Sequence, residues 1–258
     1  MCGLVGLAIS SWRYQAKPDD HEQIRARLRE LAAERRRWGY RQMHEVLRRE
    51  GILVNHKRTE RLYREERLQI KTRRRKKTAA QQRVPMPYPE GVNQRWAMDF
   101  MSDNLADGRR FRLLNVLDVF TRESLAMVVD TSINGKRVCQ VLDYLRWMRG
   151  VPEVINVDNG PEFAGKVLDN WAWKNGVKLD FSRPGKPVDN AFIESFNRTV
   201  RNECLNDNWF LNLSHAKEVI EDWQNDYNNV RPHSALDGLT PAEFAAQRQE
   251  FSLSLVLP

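Results

Sequence analysis

From residue 93 onward the apolar residues change period, and that change leaves few folds open to the chain. Residues 94–101 alternate, with Trp96, Met98 and Phe100 to one side and Asp99 to the other, which is the period-two signature of a strand. Asp107-Gly108 is a tight-turn signal. The stretches 110–120 and 123–131 are dense in Phe, Leu, Met and Val and read as two more strands. A helix is predicted over about 134–148, closed by Gly150, then a strand over 153–158. Pro161 opens a further helix to about 175, closed by Gly176. A fifth strand over 177–182 and a helix from about 191 to 205, capped by Asn190, complete the run. This order predicts an α/β domain with a mixed five-stranded sheet and helices on both faces.

The segment ahead of it has another character. Residues 21–83 hold 21 Lys and Arg against 8 Asp and Glu, whereas residues 84–258 hold 19 against 24. A charge division of this kind points to a basic unit that meets an anionic polymer. Three short helices are predicted: from Asp19 or Asp20 to about Arg36, from Tyr40 to Arg49 with Gly51 ending it, and from Lys57 to Leu68. Ile24, Leu28, Leu31, Met43, Val46, Leu47, Leu62 and Tyr63 face inward, and Lys57, Arg58, Arg61 and Arg64 face outward. A small all-α unit resembling a helix-turn-helix, with a basic last helix, suits docking on DNA. The run Arg73, Arg74, Arg75 adds phosphate-binding charge. The expected organisation is a remnant of an upstream segment (1–18), a basic helical DNA-binding domain (19–77), a proline-containing linker (78–92), the α/β core (93–206) and a C-terminal helical extension (207–258).

Within the core, Asp158 ends an apolar run and is followed by Asn159-Gly160-Pro161. A carboxylate at the end of a buried strand is costly unless something pairs with it. Asp99 sits in the first strand, and Glu194 lies in the first turn of the last core helix. On that helix Phe192, Phe196, Thr199 and Val200 form an apolar face, while Glu194, Asn197, Arg198 and Arg201 share another. If the three acids converge, they repel unless a cation sits between them. Hard oxygen ligands select Mg²⁺ or Mn²⁺. Two such ions can activate the attacking oxygen and stabilise the leaving oxygen of a phosphodiester. Asp118 is set apart, because it precedes a turn at the opposite end of the sheet.

At these residues the chain resembles a known family. Trp96-Ala97-Met98-Asp99-Phe100, Asp158-Asn159-Gly160-Pro161-Glu162-Phe163 and Asn190-Ala191-Phe192-Ile193-Glu194-Ser195-Phe196-Asn197 are similar to the DDE catalytic core of insertion-sequence transposases. Thirty-five residues separate Asp158 from Glu194, the spacing shared with retroviral integrases. With Arg37-Trp38-Gly39-Tyr40-Arg41 at the front and Arg231-Pro232-His233-Ser234 at the back, the chain resembles the second-frame (OrfB) product of the IS-three family. The resemblance implies a ribonuclease-H-like fold, Mg²⁺-dependent DNA cleavage and strand transfer, and Asp99, Asp158 and Glu194 as catalytic metal ligands. It implies DNA contacts near the site at Asn159, Lys186 and Arg198. It also implies a multimer assembled on the element's terminal repeats and association with, or fusion to, an upstream-frame (OrfA) protein. A second reading is a DNA-binding regulatory fragment of a transposase, without catalysis of its own. His233, tempting as a general base, reads as part of a structural turn. Cys2, Cys139 and Cys204 show no paired spacing, so neither a disulfide frame nor a zinc site is expected. With no long apolar stretch, a cytoplasmic, nucleoid-associated protein is expected.

Overall fold

The computed structural model describes residues 21–70, 88–182 and 190–254, with side chains as far as residue 248. The remnant at 1–18, the caps at Asp19 or Asp20, Arg73, Arg74 and Arg75, most of the linker and Lys186 lie outside the described residues. The chain divides into two compact units, Met1–Lys71 and Thr72–Pro258.

In the first unit, helices α1 (Glu22–Glu34), α2 (Tyr40–Arg49) and α3 (His56–Glu65) enclose Leu28, Leu31, Trp38, Met43, Leu47, Leu62 and Tyr63. Gly51 takes a positive φ of 80°, which lets the chain reverse after α2. The Asn55 side chain caps α3 by accepting the Lys57 N–H at 2.9 Å. His44 Nδ1 meets Thr59 Oγ1 at 3.0 Å inside the unit and pins α2 to α3. Helix α3 stops at Glu65, short of the predicted Leu68. Arg67 turns to φ 56°, and the Leu68 N–H bonds back to the Tyr63 carbonyl. Lys57, Arg58, Arg61 and Arg64 are exposed. Arg61 and Arg64 pair along the helix with Glu65 and Glu60, at 3.7 and 2.6 Å.

The second unit is built on a five-stranded sheet of order β3-β2-β1-β4-β5. Strands β1 (Arg95–Asn104), β2 (Arg110–Asp118) and β3 (Ser124–Asp130) form the antiparallel meander. Strands β4 (Val154–Val157) and β5 (Lys178–Phe181) add in parallel through helices α4 (Gly135–Arg149) and α5 (Lys166–Asn175). Alternation divides the sheet into two faces. Trp96, Met98, Leu114, Val116, Ile155 and Val157 bury against α4 and α5. Ala97, Leu113 and Leu117 bury against α6 (Ala191–Glu203) and α7 (Leu213–Asn229). The sheet is therefore mixed and covered on both sides, the fold class that the element order predicts.

Three local expectations are corrected in this unit. Helix α5 begins at Lys166, not at Pro161. The Phe163 and Ala164 N–H groups both bond to the Gly160 carbonyl, and this turn carries Phe163 beneath the sheet. There its ring stacks on Phe100 with centroids 5.0 Å apart before Gly165 starts the helix. On α6 the buried stripe is Ile193, Phe196 and Val200, while Phe192 and Thr199 are half-exposed at its flank. Arg122 covers the Phe192 ring at 4.1 Å, and Asn197 and Arg201 lean toward β1 instead. Asn190 stands at the helix start without a side-chain capping bond.

Asp118 organises the opposite end of the sheet. It is fully buried and accepts the N–H groups of Asn93 (3.0 Å), Phe120 (2.9 Å) and Thr121 (3.0 Å). The tail closes with α8 (Pro241–Ser254). His233 packs edge-on against Tyr227, centroids 4.8 Å apart, beside the Arg231 guanidinium. Burial, with Arg231 and Arg122 nearby, pushes His233 down to about 3, so it stays neutral in the folded protein. Its folded value lies below its ordinary 6.5, so its contribution to stability is full above pH 6.5 and is lost as pH falls toward 3. Between pH 6.5 and 5 the loss is roughly 1.5–2 kcal/mol. Melting curves across that range should show this acid limb, and His233→Gln should flatten it.

Candidate active site

The site begins with strand register. Strand β1 pairs with β4 so that Ala97 stands opposite Asn156. Two residues beyond Ala97 on β1 comes Asp99, and Asp158 follows directly after the last residue of β4, Val157. Glu194 occupies the first turn of α6 and is exposed. One helical step on, Asn197 Nδ2 donates to Asp99 Oδ2 at 2.7 Å. Arg201 then holds Asp103 at 2.6 Å and the Ser102 carbonyl at 2.7 Å. These bonds fasten α6 along β1.

Asp99 is half-buried and feels both other acids. Burial pushes its carboxyl up to about 6; the Phe100 N–H opposes the rise, while the Asp158 and Glu194 carboxylates add to it. Asp158 Oδ1 accepts the Gly160 N–H at 2.9 Å. A Cβ at Gly160 would stand 2.9 Å from that same oxygen, so a larger residue there would displace the Asp158 carboxylate. Glu162, two residues on, is ion-paired with Arg112, whose guanidinium lies 4.2 Å over the Phe100 ring. The loop bearing Asp158 is thereby tied to β2.

The donor set is all hard oxygen, which suits Mg²⁺ or Mn²⁺ rather than a softer metal. Among the described residues no three His, Cys, Asp or Glu side chains form a group that could hold a metal ion. Asp99 directs both oxygens to N–H donors, and Asp158 directs one. The residues fit a divalent cation in chemistry.

The other candidates are dispersed. Lys57, Arg58 and Arg61 lie on α3 of the first unit. Asn159 gives its amide to the Ser182 carbonyl at 2.8 Å, joining the loops that follow β4 and β5. Arg198 is exposed one turn beyond Glu194, and no i,i+4 ion pair joins the two among the described residues. Sequence reasoning did not single out Asn115 or the Arg112–Glu162 pair. It placed Asn197 beside Glu194 without giving it a role, although its position three residues on was a usable signal.

A mixed sheet with a parallel β1–β4 pair at its centre, an acid on β1, another just past β4, and a helix bonded along β1, defines a ribonuclease-H-like core of the integrase class. A family described as "Integrase core domain" matches residues 89–187, a second of that description matches 175–241, and "HTH-like domain" matches 18–76. The insertion element IS407 protein of Burkholderia multivorans is 48% identical over 249 residues, covering 96% of this chain and 90% of that protein. The putative transposase InsK for insertion sequence element IS150 of Escherichia coli is 28% identical over 244 residues, covering 90% and 86%. Among solved structures, the catalytic core domain of HTLV-2 integrase in complex with magnesium covers 60% of this chain and 98% of that chain, with TM-score 0.50 at 17% identity. A chain of the simian T-cell lymphotropic virus intasome covers 84% and 74%, with TM-score 0.57 at 13% identity. The chain belongs to the insertion-element transposases with an integrase core and an HTH-like domain, and it is 23% identical over 266 residues to the transposase InsF for insertion sequence IS3A of Escherichia coli. No helix among the described residues is long and apolar enough to cross a membrane.

Proposed function

We propose that this transposase is a DDE polynucleotidyl transferase, which cuts DNA at the ends of its insertion sequence and joins those ends to target DNA. The observation that carries the reading is Asp99, half-buried, with the charges of Asp158 and Glu194 acting on it from two other elements. Acids on the central strand β1, just past β4 and on α6 that act on one carboxylate do not favour folding, because burial and like charge both cost energy. Asp99, Asp158 and Glu194 would hold the metal, Mg²⁺ or Mn²⁺, with two ions expected. When bound, such ions supply Lewis-acid activation of the attacking and leaving oxygens of a phosphodiester.

The remaining work falls to the chain's own groups. Asn197 orients Asp99, and the Gly160 N–H orients Asp158. Arg198, exposed one turn beyond Glu194, would meet the phosphate backbone. The rigid β1–β4 pair fixes the separation of two of the acids, so the substrate phosphate meets a preorganised surface. In the first step water cleaves the P–O bond at the element's end and leaves a 3′-hydroxyl. In the second, that hydroxyl attacks a target phosphodiester, one P–O bond forming as another breaks, with no covalent enzyme intermediate.

The helical unit, with Lys57, Arg58 and Arg61 outward on α3, and the basic run Arg73, Arg74, Arg75 would dock the terminal repeats. Joining two ends calls for at least two active sites in one complex, hence a homo-multimer on DNA, with an OrfA protein as a further partner. The test is a strand-transfer assay with Mg²⁺ and labelled terminal repeats. Joined product supports the proposal. Binding without cutting or joining would leave the regulatory-fragment reading, and cutting of RNA–DNA hybrids without joining would indicate a nuclease.

A further inference from the structure

Asn115 lies in the middle of β2, directly across the ladder from Asp99, and is fully buried. Alternation puts it on the α6 face, between the buried Leu113 and Leu117. Its Nδ2 donates to Asn197 Oδ1 at 2.7 Å, and Asn197 Nδ2 donates to Asp99 Oδ2 at 2.7 Å. The direction of this relay is forced. The Asp99 oxygen needs a donor, so Asn197 must turn its amide nitrogen toward it and its oxygen toward Asn115. Asn115 must then present nitrogen, and its own oxygen is left facing the interior. That atom, Asn115 Oδ1, is buried without a hydrogen-bond partner among the described residues.

An unpaired buried acceptor costs stability, and an apolar side chain of similar size would avoid the cost. A protein selected for folding alone has no use for Asn here. We propose that Asn115 is a positioning residue for Asp99, acting through Asn197. It locks the Asn197 amide in the one orientation that supports an ionised Asp99 and so sets the direction in which Asp99 offers its free lone pairs. The inference rests on the metal-ligand role proposed above.

The test uses the full chain without DNA and Mn²⁺ as probe, with free Mn²⁺ counted by electron paramagnetic resonance. Asn115→Leu removes both the relay donor and the orphaned acceptor. It is expected to melt at the parent's temperature or above, while its Mn²⁺ dissociation constant rises by about tenfold. In strand transfer, the Mn²⁺ concentration for half-maximal rate should rise by the same factor, with a smaller change in the rate at saturating Mn²⁺. Asn115→Asp, nearly isosteric but without a donor, should turn Asn197 around, set an oxygen against Asp99 and weaken Mn²⁺ binding further.

Parent-like Mn²⁺ affinity in Asn115→Leu would overturn the inference. So would a melting temperature clearly below the parent's, since stability would then be what the residue serves. Asp158→Asn separates the two levels of failure. If it also leaves Mn²⁺ binding intact, the metal reading itself falls; if it abolishes binding while Asn115→Leu does not, only the role of Asn115 falls.

Discussion

Asp158→Asn should abolish strand transfer, by on the order of 10³-fold or more, while folding and DNA binding persist. The substitution keeps the shape of the side chain. Its amide oxygen can still accept the Gly160 N–H, so the turn over residues 158–163 should survive with Phe163 stacked on Phe100. What disappears is one of the negative charges acting on Asp99. Removing it relieves repulsion, so the metal-free variant should melt no lower than the parent. Its ability to hold a divalent cation should be lost. Asp99→Asn and Glu194→Gln should behave alike, because acids that serve one ion as a unit do not contribute additively. Gel-shift binding, melting curves and strand transfer on labelled ends, run side by side, check this. Joined product from Asp158→Asn at the parent's rate would remove the carboxylates from the mechanism.

The second large effect concerns stability. Glu203, the last residue of α6, holds Arg231 through two hydrogen bonds of 2.7 Å, with both side chains mostly buried (12% and 14% exposed). Glu203→Ala leaves a guanidinium in the interior without its counter-charge. Breaking a buried pair from one side costs about 3–5 kcal/mol, which for a unit of this size corresponds to a fall in Tm of roughly 10 °C. Replacing both partners with apolar residues, Glu203→Leu with Arg231→Met, should recover most of that loss, because no charge is then stranded. A Tm for Glu203→Ala within two or so degrees of the parent would mean that the pair does not hold the tail against α6.

Much of the fold was legible because it rests on local rules. The alternation through Trp96, Met98 and Phe100, the Asp107-Gly108 turn and the closing glycines at 150 and 176 each declare an element within a few residues. Gly108, Gly150 and Gly176 do take positive φ where those elements end. The start of α5 was not legible. Pro161 is a fair opening signal, but tertiary packing draws Phe163 under the sheet first. The buried stripe of α6 shifted for a similar reason. Asn197 and Arg201 find polar partners on β1, and Arg122 holds Phe192 at the edge.

The amino-acid sequence by itself determined the order of strands and helices, the division between a basic front and a mildly acidic back, and the acids at 99, 158 and 194 in the pattern of the insertion-sequence transposases. These follow from side-chain chemistry and spacing along one dimension. Only the tertiary structure decided that β1 lies parallel to β4 with Ala97 opposite Asn156, that Asn115 reaches Asp99 through Asn197, and that Asp99 is held up to about 6. Register, burial and hydrogen-bond direction depend on which segments become neighbours. Residues so far apart in the chain become neighbours only through the packing of the whole domain.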